Sequence, residues 1–373
     1  MNWKTGMHHM DISEQRTSDR PQKRSSRSPQ PITQADVKPG DILLLNYTPD
    51  PDPQKEFNKL MDLALQAVHD WQHWDSYSPK QKEEHFHKLM PLVWFAITFF
   101  DGDVFFHAAV VGTDEEGGRV VIEASTDGIN RTPLDAYWNG PISVYRYRHG
   151  AITIGSAGLP VEPVTDKAAA LFNDGTITYG YFHAGLLAIW CLFRRGEDQV
   201  MVRLRALLEH AFGKSITDIL FQGEGEKKIK LLLINVFQAA LDHWRERNQL
   251  VCSEMVAACF NDADAVGTYR ISREVEKVRA NGSQRSELKS NFIGLDGKAA
   301  RAQMAELAAA IAELQPAKSL RSLRVAMDLV DTDILYTPHD LKASISTFHV
   351  GDGHIGGSSN KSNDGAKTGK PPT

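Results

Sequence analysis

Residues 103–126 read DVFFHAAVVGTDEEGGRVVIEAST. Two apolar runs with the composition of strands flank the polar, glycine-bearing DEEGG. That pattern predicts a strand, a tight turn and a second strand, paired antiparallel as a β-hairpin. Working outward, VKPGDILLLNY (37–47) predicts a Pro-Gly turn followed by a strand, and PISVYRYR (141–148) predicts another. Between and after them the period changes to that of helices. DPQKEFNKLMDLALQAVHDWQHW (52–74) carries Phe57, Leu60, Met61, Ala64, Ala67 and Val68 at amphipathic spacing, and SPKQKEEHFHKLMPLVWFAITFF (78–100) follows it. PVTDKAAALFN (163–173), TITYGYFHAGLLAIWCLFRR (176–195), a region from about 198 to 247 broken near FGKS and GEGE, and KAARAQMAELAAAIAELQ (298–315) are also helical in pattern. DTDILYTPHDLKASIS (331–346) closes the folded part. The order is strand, helices, hairpin and strand, then helices. It predicts an α+β fold with an antiparallel sheet rather than alternating βαβ units.

The chain has 373 residues, enough for a sizeable core, and its net charge of −5 gives no global case for binding nucleic acid or an anionic membrane. Three cysteines, Cys191, Cys252 and Cys259, do not make a disulfide framework and suit a reducing compartment. No run approaches the ~18 apolar residues of a membrane span, and no Sec-type signal is visible. Residues 1–36 and 350–373 are polar, rich in Ser, Gly and basic residues, and are expected to be disordered tails around a domain at 37–349.

The hairpin also carries the first candidate chemistry. Alone, His107 in FFHAAVV reads as a core histidine. If DEEGG is the turn, however, residues equidistant from position 115 or 116 pair across the ladder. His107 then faces Ser125 with Glu123 as its diagonal neighbour, or, one register step away, faces Glu123 itself. Side chains that close on one face interact, and a glutamate among apolar strand residues is costly unless paired. A histidine oriented by a carboxylate is two-thirds of a nucleophilic triad. Among the thiols, Cys252 in NQLVCSEMVAACF (248–260) stands where a helix begins. A helix start favours a thiolate and offers free amides to an oxyanion. Cys259, two turns along, lacks both features and reads as packing.

The order of these motifs resembles the permuted papain-like cysteine hydrolases of the NlpC superfamily, in particular the YaeF/YiiX-type group. The residues that carry the resemblance are KPGDILLL, HAAVV, VIEASTDGINRTPLDAY, VYRYR, TYGYFHAGLLA, VCSEMVAACF and TPHDLKAS, spread over about 38–348. The resemblance implies a circularly permuted papain-like fold, with an antiparallel sheet packed on the helix that bears the cysteine. It implies Cys252 as nucleophile, His107 as general base and then acid, Glu123 as the residue that orients the imidazole, and Tyr179 or Tyr181 at the cleft. For the tyrosines, simple packing of sheet against helix is an equal alternative. Helical insertions at about 52–99 and 198–247 depart from the pattern and leave the substrate open.

The implied activity is hydrolysis of an amide in a peptide or amidase-type substrate through an acyl-enzyme, with no cofactor and no metal. A cell-wall hydrolase acting on peptidoglycan, or an effector exported from the cytoplasm by a specialised non-Sec system, would suit these features. The alternatives are a hydrolase or acyltransferase for acylated lipids, and a binding module on the same scaffold. His69 and His73, four apart on a helix, form at most a metal pair without a third ligand; His85 and His87 are weaker, and DTD (331–333) lacks calcium-loop spacing.

Overall fold

The computed structural model describes residues 31–47, 52–101, 103–137, 140–193, 200–212, 214–233, 249–272, 297–313 and 335–354. Its strands are β1 (Pro31–Ile32), β2 (Asp41–Asn46), β3 (Phe105–Thr113), β4 (Arg119–Ser125), β5 (Gly128–Pro133), β6 (Pro141–His149), β7 (Ile152–Thr153), β8 (Thr178–Tyr179), β9 (Gln249–Leu250) and β10 (Thr347–His354). The helices are α1 (Pro53–Gln72), α2 (Pro79–Asp101), α3 (Glu162–Asn173), α4 (Tyr181–Phe193), α5 (Val200–Phe212), α6 (Lys214–Leu220), a stretch α7 over 225–233, α8 (Cys252–Asn261), α9 (Gly297–Ala312) and α10 (Pro338–Ala343). The main sheet runs β1-β10-β6-β2-β3-β4-β5. Its pairings are antiparallel except β1 with β10, and β8 and β9 form a separate parallel pair. The fold is therefore α+β with a mostly antiparallel sheet.

The predicted hairpin is present as β3–β4. Asp114 makes its turn: Oδ1 accepts the N–H groups of Glu116 and Gly118, and Gly117 takes φ 81°, which a side chain disfavours. The turn sets the register Val110↔Ile122, Val111↔Val121, Gly112↔Val120 and Thr113↔Arg119. Continued, that register puts His107 opposite Ser125 and Glu123 on the diagonal.

β2 lies between β6 and β3, which explains its unbroken ILLL. A central strand buries both faces and has no polar side to present. Ile42 and Leu44 pack into the large cluster shared with the helices, while Leu43 and Leu45 pack into a smaller one with Ala109, Val111 and Val144. The Pro-Gly turn before it is built for close approach. Gly40 has φ 80°, its N–H donates to Val111 O at 2.7 Å, and a Cβ there would lie 2.6 Å from Val161. Asp41 beside it is fully buried, and Arg146 holds it with two bonds of 2.6 and 2.7 Å.

The insertion helices and α9 make a satellite core. Phe57, Met61 and Val68 of α1 pack with Leu220, Ile229, Met304, Leu307 and Ile311. α2 continues through Pro91 and lies along α4, where Gly185 leaves room for Phe86.

The expected tail limits at 36 and 350 move outward. β1 falls within the expected first tail, and β10 runs on to His354. The reason is edge pairing: Pro31↔Asp352 and Ile32↔Gly353 supply backbone partners to a glycine-rich stretch, HVGDGH, that reads locally as loop. The remainder of both tails, 1–30 and 355–373, lies outside the described residues, as does DTD (331–333).

Candidate active site

Three segments bring the candidate residues together: the start of β3, the end of β4 and the start of α8. α8 packs against both strands of the hairpin and begins at Cys252. Its entry is set by β9, whose Leu250 pairs with Tyr179 and whose carbonyl accepts the N–H of Gly180 at 3.1 Å. Val251 is the N-cap, with extended φ −90° and ψ 165°. It has no side-chain oxygen to cap the helix, so only the return half of a capping box exists: Glu254 Oε2 accepts the Val251 N–H at 3.1 Å. The first intrahelical bond is Met255 N–H to Val251 O. The amides of Cys252, Ser253 and Glu254 precede it and are left for other acceptors. Ser253 donates its hydroxyl to Tyr336 O, which ties the same turn to the TPHDL segment.

His107 Nε2 lies 2.6 Å from Glu123 Oε2. The second oxygen-bound partner is Tyr137, whose hydroxyl donates to the same Oε2 at 2.5 Å. Both candidate side chains on the sheet are mostly shielded, with 12% of His107 and 7% of Glu123 exposed. Because Nε2 is occupied, Nδ1 is the ring nitrogen left for a second partner, and Cys252 is near enough to act by charge on the imidazole. Burial works against a charged His107, but the charge and hydrogen bond of Cys252 and those of Glu123 outweigh it and carry the histidine to about 10. Burial likewise works to raise Glu123, yet His107, through bond and charge, and the Tyr137 hydroxyl hold it below its ordinary value. Chemically, this is a thiol beside a base whose far nitrogen is anchored by a carboxylate.

Cys259 is a different environment. It is fully buried, its Sγ sits 3.5 Å from Met255 Sδ, and burial pushes it up to about 12. Cys191 is also fully buried, in α4.

The two tyrosines separate. Tyr179 is buried beside Cys252: burial and then the Cys252 charge raise it well above its ordinary value, against a hydrogen bond from Trp94 of α2. Tyr181 instead donates to Thr126 O at 3.2 Å and meets the His87 ring at a tilt of 44°, with centroids 5.1 Å apart. It packs α4 and α2 onto the β4–β5 junction.

The other histidines hold the insertion together. His73 Nδ1 is 2.9 Å from His69 O, and His85 Nδ1 is 2.6 Å from Asp70 Oδ2. Among the described residues, no group of three or more His, Cys, Asp or Glu is arranged to hold a metal ion. Reading the sequence missed Tyr137, Trp94, and the buried pair of His183 Nδ1 with Glu254 Oε2 at 3.2 Å. Glu254 could have been found: an acid three residues after the N-cap commonly reaches back to it. Tyr137 and Trp94 act across the fold and left no local signal.

Comparison of the chain with protein-family models, with curated proteins and with solved structures finds no match. No described helix is long and apolar enough to cross a membrane.

Proposed function

We propose that the protein is a cysteine hydrolase that cleaves an amide, in a peptide or amidase-type substrate, through Cys252, His107 and Glu123. The observation that carries the reading is the 2.6 Å bond of His107 Nε2 to Glu123 on the two strands against which the helix opening at Cys252 packs. The order of the elements supports a permuted papain-like scaffold of the NlpC superfamily: the histidine strand precedes the cysteine helix in the chain, and that helix packs on the sheet.

The chemistry follows from the geometry. The Cys252 sulfur attacks the carbonyl carbon, and the thiol proton rests on His107. The carbonyl oxygen becomes an oxyanion within reach of the free amides at the start of α8. As the C–N bond breaks, the His107 imidazolium gives its proton to the leaving amine. Water then attacks the thioester carbonyl, its proton passes to His107, and the thiolate leaves. Glu123 keeps the imidazole ring in place throughout and stabilises its charge. An alcohol or amine in place of water would make the same acyl-enzyme an acyltransferase intermediate, and an acylated lipid would enter by the same steps.

The test is labelling with a thiol-reactive probe at neutral pH. Wild type and Cys259→Ala should label, and Cys252→Ala should not. Equal labelling of the two variants removes the triad. Incubation of labelling-competent protein with peptidoglycan, peptides and acylated lipids, read by mass spectrometry, assigns the substrate; no turnover on any of them favours a binding module.

A further inference from the structure

Two helices begin at the same place. α4 starts at Tyr181, after Gly180, whose carbonyl accepts the Ala184 N–H at 2.8 Å. α8 starts at Cys252. The third residue of each helix, His183 and Glu254, meets the other across the gap at 3.2 Å, and both are buried, at 5% exposure. Gly180 is part of this arrangement. A Cβ there would lie 2.9 Å from both Cβ and Cγ of His183, so only glycine lets the imidazole sit over the start of its own helix. The Glu254 Oε2 that faces His183 is the atom that accepts the Val251 N–H, and Oε1 is buried without a hydrogen-bond partner. A carboxylate between two helix N-termini sits where both dipoles favour it.

We propose that His183 and Glu254 are positioning residues for the first turn of α8: together they aim the amides of Cys252 and Ser253 at the oxyanion. The inference rests on the proposed role of Cys252. Neither side chain needs to touch the reacting atoms. Glu254 fixes the Val251–Cys252 peptide through its bond to the cap, and His183 fixes Glu254 from a helix that packs against the α2 insertion. The turn that carries the thiol has other anchors: Ser253 donates to Tyr336 O, and α8 packs on β3 and β4.

The consequence is selective. Alkylation of Cys252 by iodoacetamide displaces iodide from a saturated carbon and forms no oxyanion. Acylation by p-nitrophenyl acetate does form one: the sulfur adds to the carbonyl, the oxyanion collapses, and nitrophenolate leaves. A displaced first turn should therefore slow acylation and spare alkylation. For Glu254→Ala and His183→Ala in the full chain, the nitrophenolate burst should slow by about 10- to 100-fold, short of deleting a donor outright. Iodoacetamide should label Cys252 at a rate within about twofold of wild type, which also certifies the fold. Glu254→Gln keeps an oxygen for the Val251 N–H and should lose about threefold to tenfold. Gly180→Ala, which displaces His183 without altering either partner, should reproduce the selective loss.

If Glu254→Ala does not fold, Glu254→Gln and Gly180→Ala carry the same comparison. Equal loss of both reactions, or loss of neither, overturns the positioning role. A wild type that alkylates at Cys252 but gives no burst overturns it as well, because there is then no oxyanion stabilisation to aim. A wild type that does not alkylate at Cys252 removes the triad beneath it, a separate and recognisable failure.

Discussion

Replacing Glu123 with glutamine isolates the charge that tunes the histidine. The variant keeps the side-chain length and an oxygen for His107 and Tyr137, and removes one unit of negative charge. In the folded protein, burial opposes the imidazolium, and Cys252 and Glu123 together more than reverse that, so His107 titrates at about 10. A hydrogen bond to a charged partner contributes about 1.5–3 kcal/mol. Making the 2.6 Å bond to position 123 neutral should remove about 2 kcal/mol, or about 1.5 pH units at about 1.4 kcal/mol per unit. The sign follows from the role. In the proposed mechanism the imidazolium is the acid that protonates the leaving group, so less support for it means that it is lost at lower pH. The high-pH limb of an amide-cleaving turnover should move down from near 10 by about 1.5 pH units. The assay is steady-state cleavage of a reporter amide from pH 6 to 10.5, with thermal melts at each pH to confirm the fold. A limb that stays in place would refute the claim that Glu123 supports the charge on His107.

Three further outcomes follow from other parts of the fold. Arg146→Ala leaves Asp41 buried beside a single Lys38 N–H and should cost about 3–5 kcal/mol in urea unfolding; a loss under 1 kcal/mol would show that Asp41 does not need the pair. Gly40→Ala forces a side chain into φ 80° and against Val161, and should cost about 1–3 kcal/mol by the same measurement, with an unchanged midpoint as the contrary result. Lys342 donates to Asp103 at 2.7 Å; burial works to raise this acid, yet bonds from His339 and Lys342, the Lys342 charge and the Val104 N–H hold it below its ordinary 3.8. A depressed acid stabilises above its unfolded value and loses that contribution as the pH falls. Lys342→Met should therefore be about 0.5–1 kcal/mol less stable than wild type at pH 6, and the gap should close on acidification below 3.8. A gap independent of pH would assign the effect to packing on Phe105 instead.

The hairpin was legible because its information is local. DEEGG fixes the turn, the turn fixes the register, and the register brings His107 to Glu123 without reference to anything else in the chain. The start of α8 was legible for a similar reason, since Cys252 follows an extended residue and opens an apolar helix. What escaped depends on distant partners. GINRTP is the exception, a local hairpin partner of β4 whose apolar content is too low to announce a strand. HVGDGH becomes β10 because β6 and β1 supply backbone partners on either side. The His183–Glu254 pair joins residues 71 positions apart, a separation that no local pattern encodes. The carbonyls of Phe100, Cys191 and Leu192 all converge on Arg203, a residue of the second insertion that no motif marked.

The pairing of β1 with β10 has a practical side. It sets Ile32 beside Gly353, so the two ends of the described chain leave the sheet at one edge. The histidine strand lies four strands in from β1, roughly 19 Å at about 4.8 Å per strand. A tag, a surface tether or a fused reporter joined directly at Pro31 or His354 would emerge from that edge, away from the thiol. The same neighbourhood makes the protein a candidate for head-to-tail ligation: a short linker could join residues 32 and 353, and new ends could be opened at an exposed turn away from the hairpin such as Ala157–Gly158.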